Sequence, residues 1–139
     1  METLWQQAYP SECVIVRPTG IYGTSVSRMI KLAGTTKAYP RLHWSNRIHV
    51  EDLAAFLVHL LHVEHAEKSY ICSNSQPLPL HEIIQWFQQQ LGFPALVLES
   101  NMPSGKQIYA TRMQQMNFEL QHPHCFDDYL ALLAERESK

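Results

Sequence analysis

Two stretches decide how this chain is read: Val14-Ile15-Val16-Arg17-Pro18-Thr19-Gly20-Ile21-Tyr22-Gly23, and Asn46-Arg47-Ile48-His49-Val50-Glu51-Asp52-Leu53-Ala54. The first opens on a continuous apolar, β-branched run from Cys13 to Val16, the pattern of a strand covered on both faces inside a parallel sheet. Pro18, Gly20 and Gly23 then break the run and predict a tight loop at the strand's carboxyl end. In open α/β sheets ligands bind at that edge. The second stretch is a short strand, residues 47–50, feeding straight into a helix. Leu53, Phe56, Leu57, Leu60 and Leu61 follow i, i+3, i+4, i+7, i+8 and predict an apolar stripe. Glu51 and Asp52 fall in the first turn, where the helix dipole favours negative charge.

Outward from these stretches the pattern continues. Residues 2–8 read as the tail of a helix, with Leu4, Trp5 and Ala8 on one side, ended at Tyr9-Pro10-Ser11. Residues 26–33 predict a short helix with Met29, Ile30 and Ala33 on one face and Gly34 as its stop. Residues 35–45 read as irregular. Residues 69–72 are a strand, and Leu80, Ile83, Ile84, Phe87 and Leu91 predict a second strong helix stopped by Gly92. Residues 96–98 are a strand, and residues 109–116 and 126–135 are helices, the last carrying Tyr129, Leu130 and Leu133. Short strands with flanking helices make an α/β fold, with residues 1–139 as a single domain and no internal repeat.

Bulk properties narrow the function classes. With 45% hydrophobic and 17% charged residues, the composition is that of a globular protein. No apolar run approaches the roughly 18 residues that span a bilayer. The first residues lack a basic segment followed by an apolar one, so the expectation is a cytoplasmic protein with no membrane partner. Cys13, Cys72 and Cys125 form no C-x-x-C pair, and Cys13 and Cys72 read as buried filler. Up to Ile48 six basic residues stand against two acidic ones, a net +4, and the remainder carries −6. That basic third suits a small anionic ligand such as a phosphate, or a solvated surface; it falls short of a nucleic-acid binder.

Histidines supply two weaker signals. His59, His62 and His65, at i, i+3, i+6, could bring two imidazoles to one metal, but no carboxylate or thiolate completes the pattern. His122-Pro123-His124-Cys125 gathers soft ligands in a tight loop. Neither is expected to be a metal site.

Residues 16–23 resemble the "lRp-x-x-vYGp" signature of the extended short-chain dehydrogenases, the NAD-dependent epimerase/dehydratase family, and residues 48–54 resemble its "iHVdDla" signature. The Tyr70-Ile71-Cys72 strand, the helix start at Pro79-Leu80-His81-Glu82-Ile83 and residues 112–118 follow the family's carboxyl-terminal order, so the resemblance covers nearly the whole chain. It implies the carboxyl-terminal part of a Rossmann-like fold. The family's G-x-x-G-x-x-G turn and Tyr-x-x-x-Lys pair have no counterpart among the residues present. The expectation is therefore a substrate-binding portion without catalytic residues of its own, inactive alone and lacking the dinucleotide-binding half. The alternative is a stand-alone binding or protein-interaction domain.

The resemblance also assigns residues. Pro18 and Thr19 would meet the nicotinamide end of NAD or NADP, a cofactor the chain is not expected to bind alone. Gly20 stands where the family often places an asparagine that binds the substrate's phosphate. Arg28 and Arg47 would hold an anionic substrate group, since a guanidinium grips phosphate or carboxylate with two parallel hydrogen bonds. Arg17 is expected to be buried and structural, Tyr22 to serve packing, and His49 and Asp52 to bond local backbone at the helix start. The expected partner is an amino-terminal half or a second copy, meeting the Val14 strand and the Leu53 helix.

Overall fold

The computed structural model describes residues 13–137; the predicted helix of residues 2–8 lies outside them. Strands are β1 Ile15–Pro18, β2 Gly20–Tyr22, β3 Ala38–Tyr39, β4 Leu42–Ser45, β5 Arg47–His49, β6 Ser69–Cys72, β7 Leu78–Pro79, β8 Val97–Leu98 and β9 Pro103–Ser104. Helices are α1 Ser27–Thr35, α2 Val50–Leu61, α3 Leu80–Leu91, α4 Thr111–Gln114 and α5 Cys125–Glu137.

The first stretch differs from its reading: residues 20–22 are a strand, not a loop. β1 runs parallel to β6, with Val16 opposite Tyr70 and Arg17 opposite Ile71. β2 runs parallel to β5, with Gly20 opposite Arg47. The chain changes partners at Thr19. Its N–H and its hydroxyl both donate to the Cys72 carbonyl, at 3.0 and 2.9 Å, and the next N–H, of Gly20, donates to the Asn46 carbonyl at 3.1 Å. A Cβ at Gly20 would stand 3.1 Å from that same carbonyl, so the crossing is tight as well as extended.

Residues 35–45, read as irregular, hold β3 and β4. β3 pairs with β8 in parallel, and β4 pairs antiparallel with β7 and parallel with β9. Their partners lie some 35 to 60 residues away, so no local periodicity could reveal them. Gly34 lies inside α1 rather than ending it; Thr36 closes the helix by donating to the Leu32 carbonyl. Gly92 does end α3, with φ at +76° in the left-handed region that suits glycine.

Two apolar clusters form. Val26 and Ala33 of the α1 region, Ile83 and Phe87 of α3, and Cys125, Tyr129 and Leu133 of α5 make the first. Gln88 ties it to the chain around it. Its amide nitrogen donates to the carbonyls of Ala33 (3.1 Å) and Thr36 (2.9 Å), and its oxygen accepts from the Leu96 N–H (2.8 Å). The second cluster joins β5, α2, β6 and α4 through Ile48, Phe56, Tyr70, Cys72, Ala110 and Met113.

The predicted α2 stripe is only half covered. Phe56 is fully buried, but Leu57 is 45% and Leu61 81% exposed. β1 is likewise not enclosed on both faces as its sequence suggested. Val14 just before it and Ile71 opposite it are 39% and 43% exposed, and Arg17, expected to be buried, is exposed. Among the described residues no helix is long and apolar enough to cross a membrane.

Candidate functional site

A cavity of about 260 Å³ lies where β2 and its following loop meet α1, α3 and α5. Gly20, Arg28 and Arg47 all line it, together with Ser45, Asn46, Tyr22 and Tyr129. The three residues expected to bind substrate thus face one space, although they come from three elements. Pro18 and Thr19 do not line it, and both polar hydrogens of Thr19 are committed to Cys72.

The two arginines differ in setting. Arg28, in the first turn of α1, is exposed and reaches the cavity from the solvent side. Arg47 is 4% exposed. Its guanidinium donates to the Gln76 carbonyl at 3.3 Å and to the Ser45 hydroxyl, whose own hydrogen goes to the Leu78 carbonyl at 2.7 Å. These oxygens are neutral, so they fix the guanidinium's orientation without cancelling its charge, which favours an anion beside it. Arg47 also draws the nearby Cys125 thiol downward, but burial prevails and pushes it up to about 11, so the thiol stays protonated and inert. Asn46 is held from both ends of its amide, donating to the Lys106 carbonyl (2.7 Å) and accepting from the Ile108 N–H (2.8 Å).

Behind Tyr22 the wall of the cavity is polar and ordered. The Tyr22 hydroxyl donates to Asp128 Oδ2 at 2.7 Å, so its role extends beyond packing. Burial, then Asp128, push its pKa far above the ordinary phenol range, which fixes Tyr22 as a donor. The His122 ring lies between two carboxylates, with Nδ1 2.6 Å from Asp128 Oδ1 and Nε2 3.0 Å from Glu51 Oε2. Burial works against its charge, but the hydrogen bonds to Asp128 and Glu51 outweigh it, and the imidazole's pKa is raised. Asp52, 1% exposed, accepts from the backbone N–H groups of Gln121 (2.8 Å) and His122 (2.9 Å), so it fastens a distant loop and not its own helix start. His49 does cap α2 as expected, Nδ1 accepting from the Glu51 N–H at 3.0 Å.

His49 stacks on His122, rings 3.6 Å apart and 9° from parallel. Gly23, with φ at +114°, lies against the other side of His49; a Cβ there would fall 2.4 Å from Nε2. Among the described residues, His49, His122 and Asp128 bring potential metal-ligand atoms within 4.8 Å of one another. The stack argues against a shared ion, because a metal lies near the plane of each imidazole it binds and these planes run parallel. Both His122 nitrogens are also held by carboxylates. The group reads as an ion-paired clasp between α2 and α5.

Arg17 lines a second cavity, of about 290 Å³, with Ile71 and Arg112. Arg112 is tied there, donating to the carbonyl and hydroxyl of Ser69 at 3.0 and 3.2 Å. The sequence reading missed the clasp. Its members are 51, 122 and 128, and only the adjacent helix starts and the clustered histidines hinted at them.

No protein-family profile and no curated protein sequence matches the chain. Solved structures do. A protein assigned as an NAD-dependent epimerase/dehydratase from Methylobacillus flagellatus is similar at 30% identity and a TM-score of 0.73, over 96% of this chain and 52% of its own. dTDP-glucose 4,6-dehydratase from Bacillus anthracis, in complex with NAD, is similar at 15% identity and a TM-score of 0.70, over 97% and 48%. RMD from Pseudomonas aeruginosa, complexed with NADPH, is similar at 15% identity and a TM-score of 0.64, over 99% and 53%. The chain spans about half the length of these structures. In fold and in motif order it corresponds to the carboxyl-terminal half of the NAD-dependent epimerase/dehydratase proteins, the extended short-chain dehydrogenases.

Proposed function

We propose that this chain is the substrate-binding portion of an NAD(P)-dependent epimerase, dehydratase or reductase, and that its cavity takes the anionic group of a small substrate. The observation that carries the reading is the convergence of Gly20, Arg28 and Arg47 on one cavity. Arg47 supplies a buried, oriented charge and Arg28 an exposed one, with Gly20 on the same cavity wall. Pro18 and Thr19 would touch only the nicotinamide end of the cofactor. The five glycines make no dinucleotide turn, and Thr19 has no hydrogen to spare, which supports the reading that NAD or NADP needs a further half to be held. Hydride transfer belongs to an amino-terminal half, for which the exposed Val14 and Ile71 beside β1 offer an apolar surface.

The test is sulfate binding to the chain, followed by amide chemical shifts, with NADH titrated in parallel by calorimetry. Sulfate should move the amides around Gly20 and Arg28. Arg28→Ala should weaken binding by about tenfold or more, the worth of a charge-assisted hydrogen bond. Shifts elsewhere, or an unchanged affinity in that variant, would refute the anion site; sub-millimolar NADH binding would refute the dependence on a second half.

The second reading, a stand-alone domain that meets a copy of itself, is favoured by the exposed Leu57 and Leu61 of α2. Sedimentation across a wide concentration range decides it: a dimer supports self-association, and a persistent monomer removes it.

A further inference from the structure

The clasp behind Tyr22 is more than a strut, because it places a cluster of like charges beside an anion site. Three carboxylates meet there. Glu51 and Asp52 come from α2 and Asp128 from α5, and Asp128 holds the cavity-lining Tyr22 at 2.7 Å. The other titratable groups facing them are His49 of β5, stacked on the ring, Tyr22 of β2, and Cys125 and Tyr129 of α5, with Arg47 of β5 next to Cys125. Within the clasp itself His122, when protonated, is the positive member.

We infer that His122 is a proton-controlled gate on the cavity, favouring a bound anion when charged and disfavouring it when neutral; this rests on the anion-site reading above. Geometry makes the two protonation states differ in their hydrogen bonds. A charged ring donates from both nitrogens, to Asp128 and to Glu51 at once. A neutral ring has one hydrogen. It keeps the shorter bond to Asp128, and its bare Nε2 then faces Glu51, lone pair to carboxylate. Glu51, 73% exposed in its side chain, swings into solvent. The local charge becomes more negative by one unit, and the potential at Arg28 and Arg47 falls with it. Coupling is reciprocal, so an anion in the cavity must also raise the pH at which His122 loses its proton.

The experiment is an NMR titration of the His122 ring in the full chain from about pH 5.5 to 8.5, the window in which imidazoles change charge, with and without sulfate. Sulfate is chosen because it does not itself titrate there. The midpoint should lie above the ordinary 6.5 and rise further with sulfate. Sulfate affinity should fall by roughly fivefold across the titration, a modest coupling between sites. His122→Gln should abolish that pH dependence. Since this variant can loosen α5, the exposed Glu51→Gln serves beside it: the fold should hold and the midpoint move down. A midpoint at or below 6.5, or a sulfate affinity with the same pH profile in wild type and Glu51→Gln, would overturn the inference. If the midpoint is raised and Glu51→Gln lowers it, yet sulfate binds at no pH, the anion-site reading fails instead.

Discussion

Phe87 and Phe56 are both fully buried, yet they sit in surroundings of different completeness. Around Phe87 the helices α1, α3 and α5 close on one another, and Gln88 bonds the chain segments at their edge. Around Phe56 the packing reaches β1, β6 and α4 and stops. Beyond it lie Ile71 on the far face of β6, Val14 before β1 and Leu61 on the outer side of α2, all exposed. The contrast teaches that an apolar strand pattern records what a strand is suited to be covered by, not what covers it. The first region closes around Phe87 with three helices of the chain, although Leu130 on the outer side of α5 is 52% exposed. The second has a surface of the kind that a further layer would bury.

Three substitutions sharpen the contrast. Phe87→Ala should have the largest effect, a loss of about 3–5 kcal/mol of folding stability from lost burial and a poorly collapsing cavity. Chemical denaturation would measure it, and a loss below about 1 kcal/mol would mean that the α1–α3–α5 core is looser than its packing suggests. Gln88→Ala comes next. It strips partners from two carbonyls and one N–H, and should cost about 2–3 kcal/mol, since buried groups left unbonded carry their full desolvation penalty. Smallest is Leu61→Lys on the unfinished side, expected within about 0.5 kcal/mol of the native chain, as at other exposed positions. If that surface is a contact, the same change should lower self-association in sedimentation while leaving the denaturation midpoint in place. A large loss of folding stability would show that Leu61 belongs to the core after all.

Much of this was legible in the residues. The two strong helices announce themselves because 3.6-residue periodicity is a local signal: α2 begins one residue before the expected Glu51, and α3 ends at Gly92 as its glycine implies. The β6 strand at 69–72 matches its reading because a short apolar run between polar segments is a local signal too. β3 and β4 were not, because two- and four-residue strands carry too little alternation and owe their form to distant partners such as Val97 and Pro103. β2 was hidden by its glycine, which reads as a loop but serves as a close crossing beside Asn46. At the site, the residue types Arg28 and Arg47 pointed to an anion, and the fold brings them to one cavity. Sequence could not show that Arg47 is buried while Arg17 is exposed, since burial of an arginine is decided by the elements packed around it. Nor could it join Asp52 to residues 121 and 122, 69 and 70 positions away.

The bare backbone of Gly23 against the ring of His49 sets a limit on how this protein can vary. A single methyl at that position would collide with the ring and push it toward its stacked neighbour, so the smallest change in the loop after β2 would be felt at His122, just before α5 and about a hundred residues further along the chain. An alanine at 23 is therefore a long-range mutation in disguise: harmless by composition, it would reset the acid–base behaviour of a histidine it never touches.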